Sequence, residues 1–311
     1  MTKSSNATAP TELLWLGVLG LLWGMPYALT KISLTTIPPI TLVAGRVSLA
    51  AVALWLFVLF RRSAMPHWRS FVSVIFLQGM IACVIPYTLI AYGQKSVDSG
   101  LAAILNSATP VFVCLVSVVW TRHERLTPMR WLGVGIGLGG VVMITGVSAL
   151  LGFGKTLPGQ FAIIAATFSS ALSAIYGRRF MDIAPEITAA GTLTAAALAL
   201  LPLCFTLETP LNTAPSATSL AALAVNGLAA TALGFTLYFR LIRTLGSMGV
   251  ASVGYLKPAF GILIAITFMG EVLTWPMAVG LMAILAGVAI LNQGASEPKA
   301  NPRVELGAKT A

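Results

Sequence analysis

Two basic side chains, Arg46 and Lys257, lie well inside long apolar runs, and they are the residues here best placed to do chemistry. A cation at the centre of a membrane-spanning helix costs about 2.5–3.5 kcal/mol on insertion scales, so such a group marks a functional position by default. The acidic residues Glu12, Asp98, Glu124, Asp182, Glu186, Glu208, Glu271, Glu297 and Glu305 all fall at the ends of those runs, in the gaps or in the tails. A cation facing a cavity without a fixed counter-ion suits a solute that carries a carboxylate, and that is the role expected of Lys257. The competing reading has its ammonium bonding to backbone carbonyls freed by Pro258, or extending toward water along its own alkyl stem. Arg46 sits nearer one end of its run, and its expected role is to tie helices or a gate together.

Buried amides come next. Gln78, Asn106 and Asn226 sit in apolar surroundings where each amide must find a partner, either across a helix contact or on the solute. Asn106 lies one turn before Pro110, on the same face. Pro110 and Pro258 are embedded, and a proline removes a helix hydrogen bond and bends the helix, so both are expected at bends that line a cavity or serve packing. Tyr87 and Tyr255 lie deep enough to stack on a flat group, while Tyr92 and Tyr238, near run ends, read as interfacial residues. Trp23 is placed with the bend and gate residues. Gly133 to Gly140 resembles a nucleotide-binding loop only superficially, because no strand precedes it; close helix packing explains it.

Other chemistry is not supported. There is no P-loop signature, so the chain does not hydrolyse ATP itself. Both histidines, His67 and His123, lie in gaps between apolar runs, which leaves a proton relay without its usual parts. No catalytic pair or metal-ligand spacing occurs within the runs, and Cys83, Cys114 and Cys204 suggest neither a metal site nor a disulfide. The expectation is a non-enzyme without cofactor or metal.

The elements that must carry these residues follow from composition. Hydrophobic residues make up 57% of 311 positions and charged residues 9%, against about 25% charged in soluble domains. So few charges cannot cover a water-soluble surface, and lipid must be the solvent for most of it. Cutting at charges and Pro/Gly clusters predicts helices near 13–30, 38–60, 70–92, 98–120, 129–148, 159–177, 185–206, 217–239, 247–269 and 273–291. The first is read as a retained helix, since Trp23, Pro26 and Tyr27 with no following cleavage site do not fit a signal peptide. The tail from Ala295 reads as disordered.

The net charge of +10 is spread over short gaps, which points to lipid headgroups and topology and away from nucleic acid. One set of gaps and tails holds Lys3, Arg61, Arg62, Arg69, Arg122, Arg125, Arg130, Arg178, Arg179, Arg240, Arg243, Lys299, Arg303 and Lys309; the opposite set holds only Lys31, Lys95 and Lys155. Both termini are therefore expected in the cytoplasm.

The sequence also repeats. Pro39–Gly45 falls on Pro185–Gly191, Gln78-Gly79 on Asn226-Gly227, Tyr87-Thr88-Leu89 on Phe235-Thr236-Leu237, Thr109–Phe112 on Lys257–Phe260, and Glu124, Gly133 and Gly140 on Glu271, Gly280 and Gly287. The offsets stay between 146 and 148. Five helices per half is an odd number, so the second copy must be inverted relative to the first, an arrangement known from secondary transporters.

At these residues the chain resembles the drug/metabolite transporter superfamily in its EamA branch. The resemblance rests on Trp23-Gly24 with Lys31, Arg46 before an Ala/Leu run, Pro110, Glu124-Arg125-Leu126-Thr127, and Gly270-Glu271 before a Gly-spaced last helix. It covers about residues 11–293, with a departure at Met25-Pro26, where relatives often carry Ser-Asn. It implies ten helices and transport of small metabolites, and among its members the amino-acid exporters, some selective for aromatic ones, are most similar.

The expectation is thus an all-α integral membrane protein of ten transmembrane helices in two inverted five-helix repeats, 12–148 and 158–292, flanked by tails 1–11 and 293–311. It would sit in the cytoplasmic (inner) membrane as a monomer. It would export small metabolites, neutral or aromatic amino acids first, by alternating access, with downhill uncoupled flux favoured. The expected substrate-binding residues are Lys257, Asn106, Gln78, Tyr87, Asn226 and Tyr255, and the bend or gate residues Pro110, Pro258, Arg46 and Trp23. A multidrug, sugar or nucleoside carrier of the same superfamily is the first alternative; a channel or a membrane-embedded enzyme is the alternative of another class.

Overall fold

A computed structural model describes residues 10–61, 68–121, 128–150, 154–180, 183–238, 240–241, 244 and 253–293. The N-terminal tail, the tail from Ala295, the segment Glu124-Arg125-Leu126-Thr127, both histidines and the side chain of Tyr255 lie outside the described residues.

Runs of twenty or so apolar residues with few charges form helices because lipid offers backbone groups no other partner. Among the described residues, eight helices are long and apolar enough to cross a membrane: α1 Thr11–Ser33, α2 Pro39–Arg61, α3 Val72–Gly93, α4 Ser99–Ser117, α5 Pro128–Thr145, α6 Leu157–Tyr176, α7 Pro185–Leu207 and α8 Ala217–Tyr238. Two shorter apolar helices follow, α9 Leu256–Met269 and α10 Trp275–Leu291. Proline begins α2, α5 and α7, where its missing N–H is one of the orphan donors anyway. The α9–α10 connection turns through Gly270 at φ +67°, a conformation that favours glycine. Large apolar side chains point outward in quantity, Phe60 at 87% and Phe268 at 79% exposure among them. Such a surface is stable only against lipid.

Packing follows a pattern of exchange. α5 packs on α10 and α2 on α7; α1 packs on α9 as α6 does on α4, and α3 packs on α6 as α8 does on α1. Exchanging α1–α5 for α6–α10 maps each of these contacts onto itself or onto its mate. Glycines show this at atomic scale. A Cβ on Gly140 would stand 2.7 Å from the Gly280 carbonyl oxygen, and one on Gly133 2.9 Å from that of Gly287. Numbers rise along α5 as they fall along α10, so the two helices run antiparallel with their backbones touching. The repeat offset of 147 exchanges the two contacts.

Both α3 and α8 contain a π-helical stretch, Met80–Val84 and Asn226–Leu233, at corresponding positions in the two halves. A π turn shifts the register of everything after it and leaves local backbone groups open to other partners; such bulges are frequent at functional sites.

Pro110 corrects an expectation. It does not bend a continuous helix. The helix Ser99–Asn106 ends, Ser107 and Ala108 form a turn, and a second helix Thr109–Thr121 begins with Pro110 in its first turn. Proline disfavours helical backbone in the residue before it, and the turn is held by Ser107 donating its hydroxyl to the Ile104 carbonyl at 2.6 Å. Pro258 lies inside a continuous helix, Val253–Met269.

Candidate substrate-binding centre

The break in α4 leaves Asn106 at a helix end, and three polar groups converge on its side chain. Lys257 Nζ donates to Asn106 Oδ1 at 2.9 Å, and the Tyr27 hydroxyl donates to the same oxygen at 2.8 Å. Asn106 Nδ2 donates to Thr167 Oγ1 at 3.3 Å, and Thr167 passes its own proton to the Ile163 carbonyl at 2.7 Å. Tyr27 is steadied from behind, its carbonyl accepting from Gln94 Nε2 at 2.8 Å. The cluster draws on α1, α4, α6 and α9. Lys257 therefore turns to Asn106 rather than to carbonyls of its own helix freed by Pro258, and among the described residues it makes one bond where an ammonium has three donors.

A second cluster forms around Arg46. Its Nε donates to Thr231 Oγ1 at 3.1 Å, and its guanidinium carbon lies 4.3 Å from the centre of the Tyr87 ring. Thr231 donates to the Asn226 carbonyl at 2.8 Å, and Asn226 Nδ2 donates to Thr30 Oγ1 at 3.2 Å. Arg46 is also within electrostatic range of the Tyr27 phenol, which joins the two clusters. Stacking on an aromatic face stabilises a desolvated guanidinium by up to about 2 kcal/mol, which leaves much of its desolvation cost unanswered.

Among the described residues neither cation has a carboxylate within ion-pair distance; ion pairs at helix ends include Lys31–Asp98 at 3.8 Å and Arg240–Glu12 at 3.0 Å. The centre is net positive.

The residues singled out in the sequence thus separate. Lys257 and Asn106 meet directly; Arg46, Tyr87 and Asn226 meet through Thr231. Gln78 belongs to neither cluster, since its Nε2 donates to the Ser173 carbonyl at 3.3 Å across the α3–α6 contact. Trp23 packs on Tyr238 (ring centres 5.2 Å apart) and edge-on to Phe235 (6.1 Å), holding α1 to α8. Tyr27, Thr167 and Thr231 are the members that sequence reasoning missed. Tyr27 stands one turn before Lys31 inside the Trp23–Lys31 motif, which was a usable signal; the two threonines in apolar runs gave none.

The two ends of the bundle differ. At the end carrying Arg61 and Arg240, a crevice of about 220 Å³ opens between α1, α2, α7 and α8, lined by Trp15, Phe57, Arg61, Glu186, Leu233 and Arg240. Its α8 wall is formed by Leu233, Thr236, Leu237 and Arg240. The opposite end is laced shut. Glu208 accepts from the N–H groups of Ile40 (3.0 Å) and Thr41 (2.7 Å), and Glu271 from those of Ser99 (2.8 Å) and Gly100 (2.7 Å). Each carboxylate supplies acceptors for the orphan donors of a helix N-terminus and complements its dipole. Lys31 donates to the carbonyls of Gln94 and Val97, both at 2.9 Å, and Thr36 donates to Ser219 Oγ at 2.8 Å.

A bundle of apolar helices around a cationic, hydroxyl-rich centre, crevassed at one end and tied at the other, defines a multi-pass membrane protein. The chain belongs to the EamA-like transporter family: the family's model matches residues 10–146 and, a second time, residues 157–293. It is 24% identical over 275 residues to the uncharacterized inner membrane transporter YedA of Escherichia coli (strain K12), covering 88% of each chain. It is 23% identical to the uncharacterized transporter YoaV of Bacillus subtilis (strain 168), covering 86% of this chain and 92% of that one. A solved crystal structure 20% identical in sequence superposes with a TM-score of 0.62 over 93% of this chain and 99% of that one, which shows a shared fold. The protein is a membrane transporter, multi-pass and of the inner membrane, and its family is one of transporters rather than enzymes.

Proposed function

We propose that the chain is a secondary carrier of ten transmembrane helices in two inverted repeats, with both termini cytoplasmic, and that it exports small carboxylate-bearing metabolites, amino acids in the first instance. The observation that carries this reading is the Lys257–Asn106–Tyr27 cluster: an ammonium held among helices of both halves, with donors to spare and no carboxylate beside it. A solute carboxylate would supply the missing charge. The exchange of contacts between halves, and the double match to the family, support two halves rocking around that centre. The laced end and the crevassed end correspond to one closed and one open side; with the basic end in the cytoplasm, this conformation receives solute from within. One chain holds the whole centre, so a monomer suffices, and with no carboxylate at the centre the reading favours uncoupled flux.

The test is counterflow in proteoliposomes loaded with unlabelled solute and presented with a labelled panel of neutral, aromatic and acidic amino acids. A carrier shows saturable exchange that Lys257→Ala and Asn106→Ala abolish or severely reduce. A panel that gives no saturable exchange defeats the proposal. Flux without acceleration by trans solute points to a channel.

A further inference from the structure

Arg46 ties α2 to Thr231 of α8 and to Tyr87 of α3, and these contacts leave part of its guanidinium unused. A guanidinium has five N–H donors in a rigid plane. Here Nε is spent on one neutral hydroxyl, that of Thr231, and Tyr87 covers one face. The edge bearing the two terminal nitrogens has no hydrogen-bond partner among the described residues. That edge is the one that matches a carboxylate or phosphate with two parallel bonds. Its support is rigid: Thr231 is fixed by its bond to the Asn226 carbonyl, and Asn226 by Thr30. A side chain clamped at Nε and on one face, with its fork left open, is prepared to receive a planar anion.

Arg46 also has a counterpart. Tyr27 lies within electrostatic range of Arg46 and shares the Asn106 oxygen with Lys257. Tyr27 thus feels the charge of Arg46 on α2 of the first half and shares a hydrogen-bond acceptor with Lys257 on α9 of the second. A solute with one carboxylate would leave one of them uncompensated in a region of low dielectric.

We propose that Arg46 is a second anion-recognising group of this centre, so that the solute it selects carries two anionic groups, one set against Lys257 and one gripped by the open fork of Arg46. This rests on the reading of the centre as the solute site, and it moves the choice among carboxylate-bearing metabolites from neutral amino acids toward acidic ones, dicarboxylates and carboxylates that carry a phosphate.

The experiment compares solutes of one skeleton and different charge in the same counterflow assay on the full chain: glutamate against glutamine, succinate against succinamate, with phosphoglycolate as the phosphate-bearing arm. The native protein is expected to exchange each solute with two anionic groups at least tenfold more efficiently, as kcat/KM, than its partner with one. Arg46→Gln brings the ratio near one while exchange of the amides persists, and Arg46→Lys keeps part of the preference. A dominant phosphoglycolate signal supports the proposal and places phosphate at the fork; dominant dicarboxylates support it with carboxylate there. Equal exchange of acid and amide by the native protein overturns the second anion and leaves the carrier standing, as does a preference that survives Arg46→Gln. The native ratio decides the matter even if Arg46→Gln fails to fold. Absence of saturable exchange across the whole panel, aromatic amino acids included, overturns both readings.

Discussion

Glu271 and Ser99 are 172 residues apart in sequence, yet the Glu271 carboxylate accepts from the Ser99 hydroxyl at 2.6 Å and from its backbone N–H at 2.8 Å. The end of α9 is thereby fastened to the start of α4, across the two halves and at the tied end of the bundle. Glu208 does the same for α2.

If these carboxylates hold that end closed, weakening one should open it. Glu271→Gln leaves an amide oxygen in place of a charged acceptor for the Ser99 and Gly100 donors, and loss of a charged cap costs about 1–2 kcal/mol. The expected result is a lower melting temperature in detergent. A cysteine placed at Gly100 in the Glu271→Gln background should react faster with impermeant thiol reagent than in the parent. Reaction at an unchanged rate means that the carboxylate stabilises α4 without gating it.

Glycine positions offer a controlled comparison. A Cβ at Gly287 would stand 2.6 Å from the Gly133 carbonyl oxygen and 2.7 Å from the Gly137 nitrogen, backbone atoms that cannot step aside, whereas at Gly135 and Gly139 nothing lies within 4 Å. Gly287→Ala must push α5 and α10 apart, with an expected loss of about 1–3 kcal/mol from overpacking. Gly135→Ala and Gly139→Ala should be neutral or slightly stabilising, because alanine favours helix over glycine by about 1 kcal/mol. Thermal melts of the three variants decide it: equal stability would mean that the helices do not touch along this seam.

The limits of the sequence are visible in the same residues. Lys257 and Arg46 announced themselves because a charge in an apolar run has no structural excuse. The seam of α5 and α10 was legible as glycine spacing, though not which glycine meets which. Pro110 misled, because a proline inside a long apolar run reads as a kink, and only the local turn at Ser107-Ala108 converts it into a break. The two π stretches left no trace, since Met80–Val84 and Asn226–Leu233 are built from residue types that serve an α-helix equally well. Thr231 and Thr167 were invisible for a related reason: a threonine in a membrane helix usually bonds to its own backbone, as Thr167 does to Ile163. Whether it also receives a side chain from another helix is a property of packing.

Asn106→Asp tests the charge logic of the Lys257 cluster from within. The carboxylate would occupy the position of Oδ1, 2.9 Å from Lys257 Nζ, and pair internally with the ammonium. Such a pair is better satisfied than an ammonium facing an amide, so folding should be retained. Exchange of carboxylate-bearing solutes should fall at least tenfold, which corresponds to about 1.4 kcal/mol of lost recognition. A protein with full activity and Asn106→Asp would show that Lys257 does not meet the solute charge.

Orientation is the remaining prediction, and the proposed carrier depends on it. With Cys83, Cys114 and Cys204 replaced by alanine, single cysteines can be introduced at exposed described positions at either end: Thr35, Lys95 and Asn212 in the turns of the tied end, and Phe60 and Thr244 at the crevassed end. The basic end should face the cytoplasm, because Arg61 and Arg240 lie there while only lysines such as Lys31 and Lys95 mark the other. An impermeant thiol reagent added to intact cells should therefore label Thr35→Cys, Lys95→Cys and Asn212→Cys at once. Phe60→Cys and Thr244→Cys should react only after the membrane is permeabilised. Thr35 follows the end of α1, and Asn212 precedes the start of α8, whose mate in the first half, α3, begins at the basic end. Their common exposure requires that the two halves enter the membrane from opposite sides. Labelling of Thr35→Cys and Asn212→Cys from different faces would break the inversion, and with it the two-sided centre in which Lys257 of the second half meets Asn106 of the first.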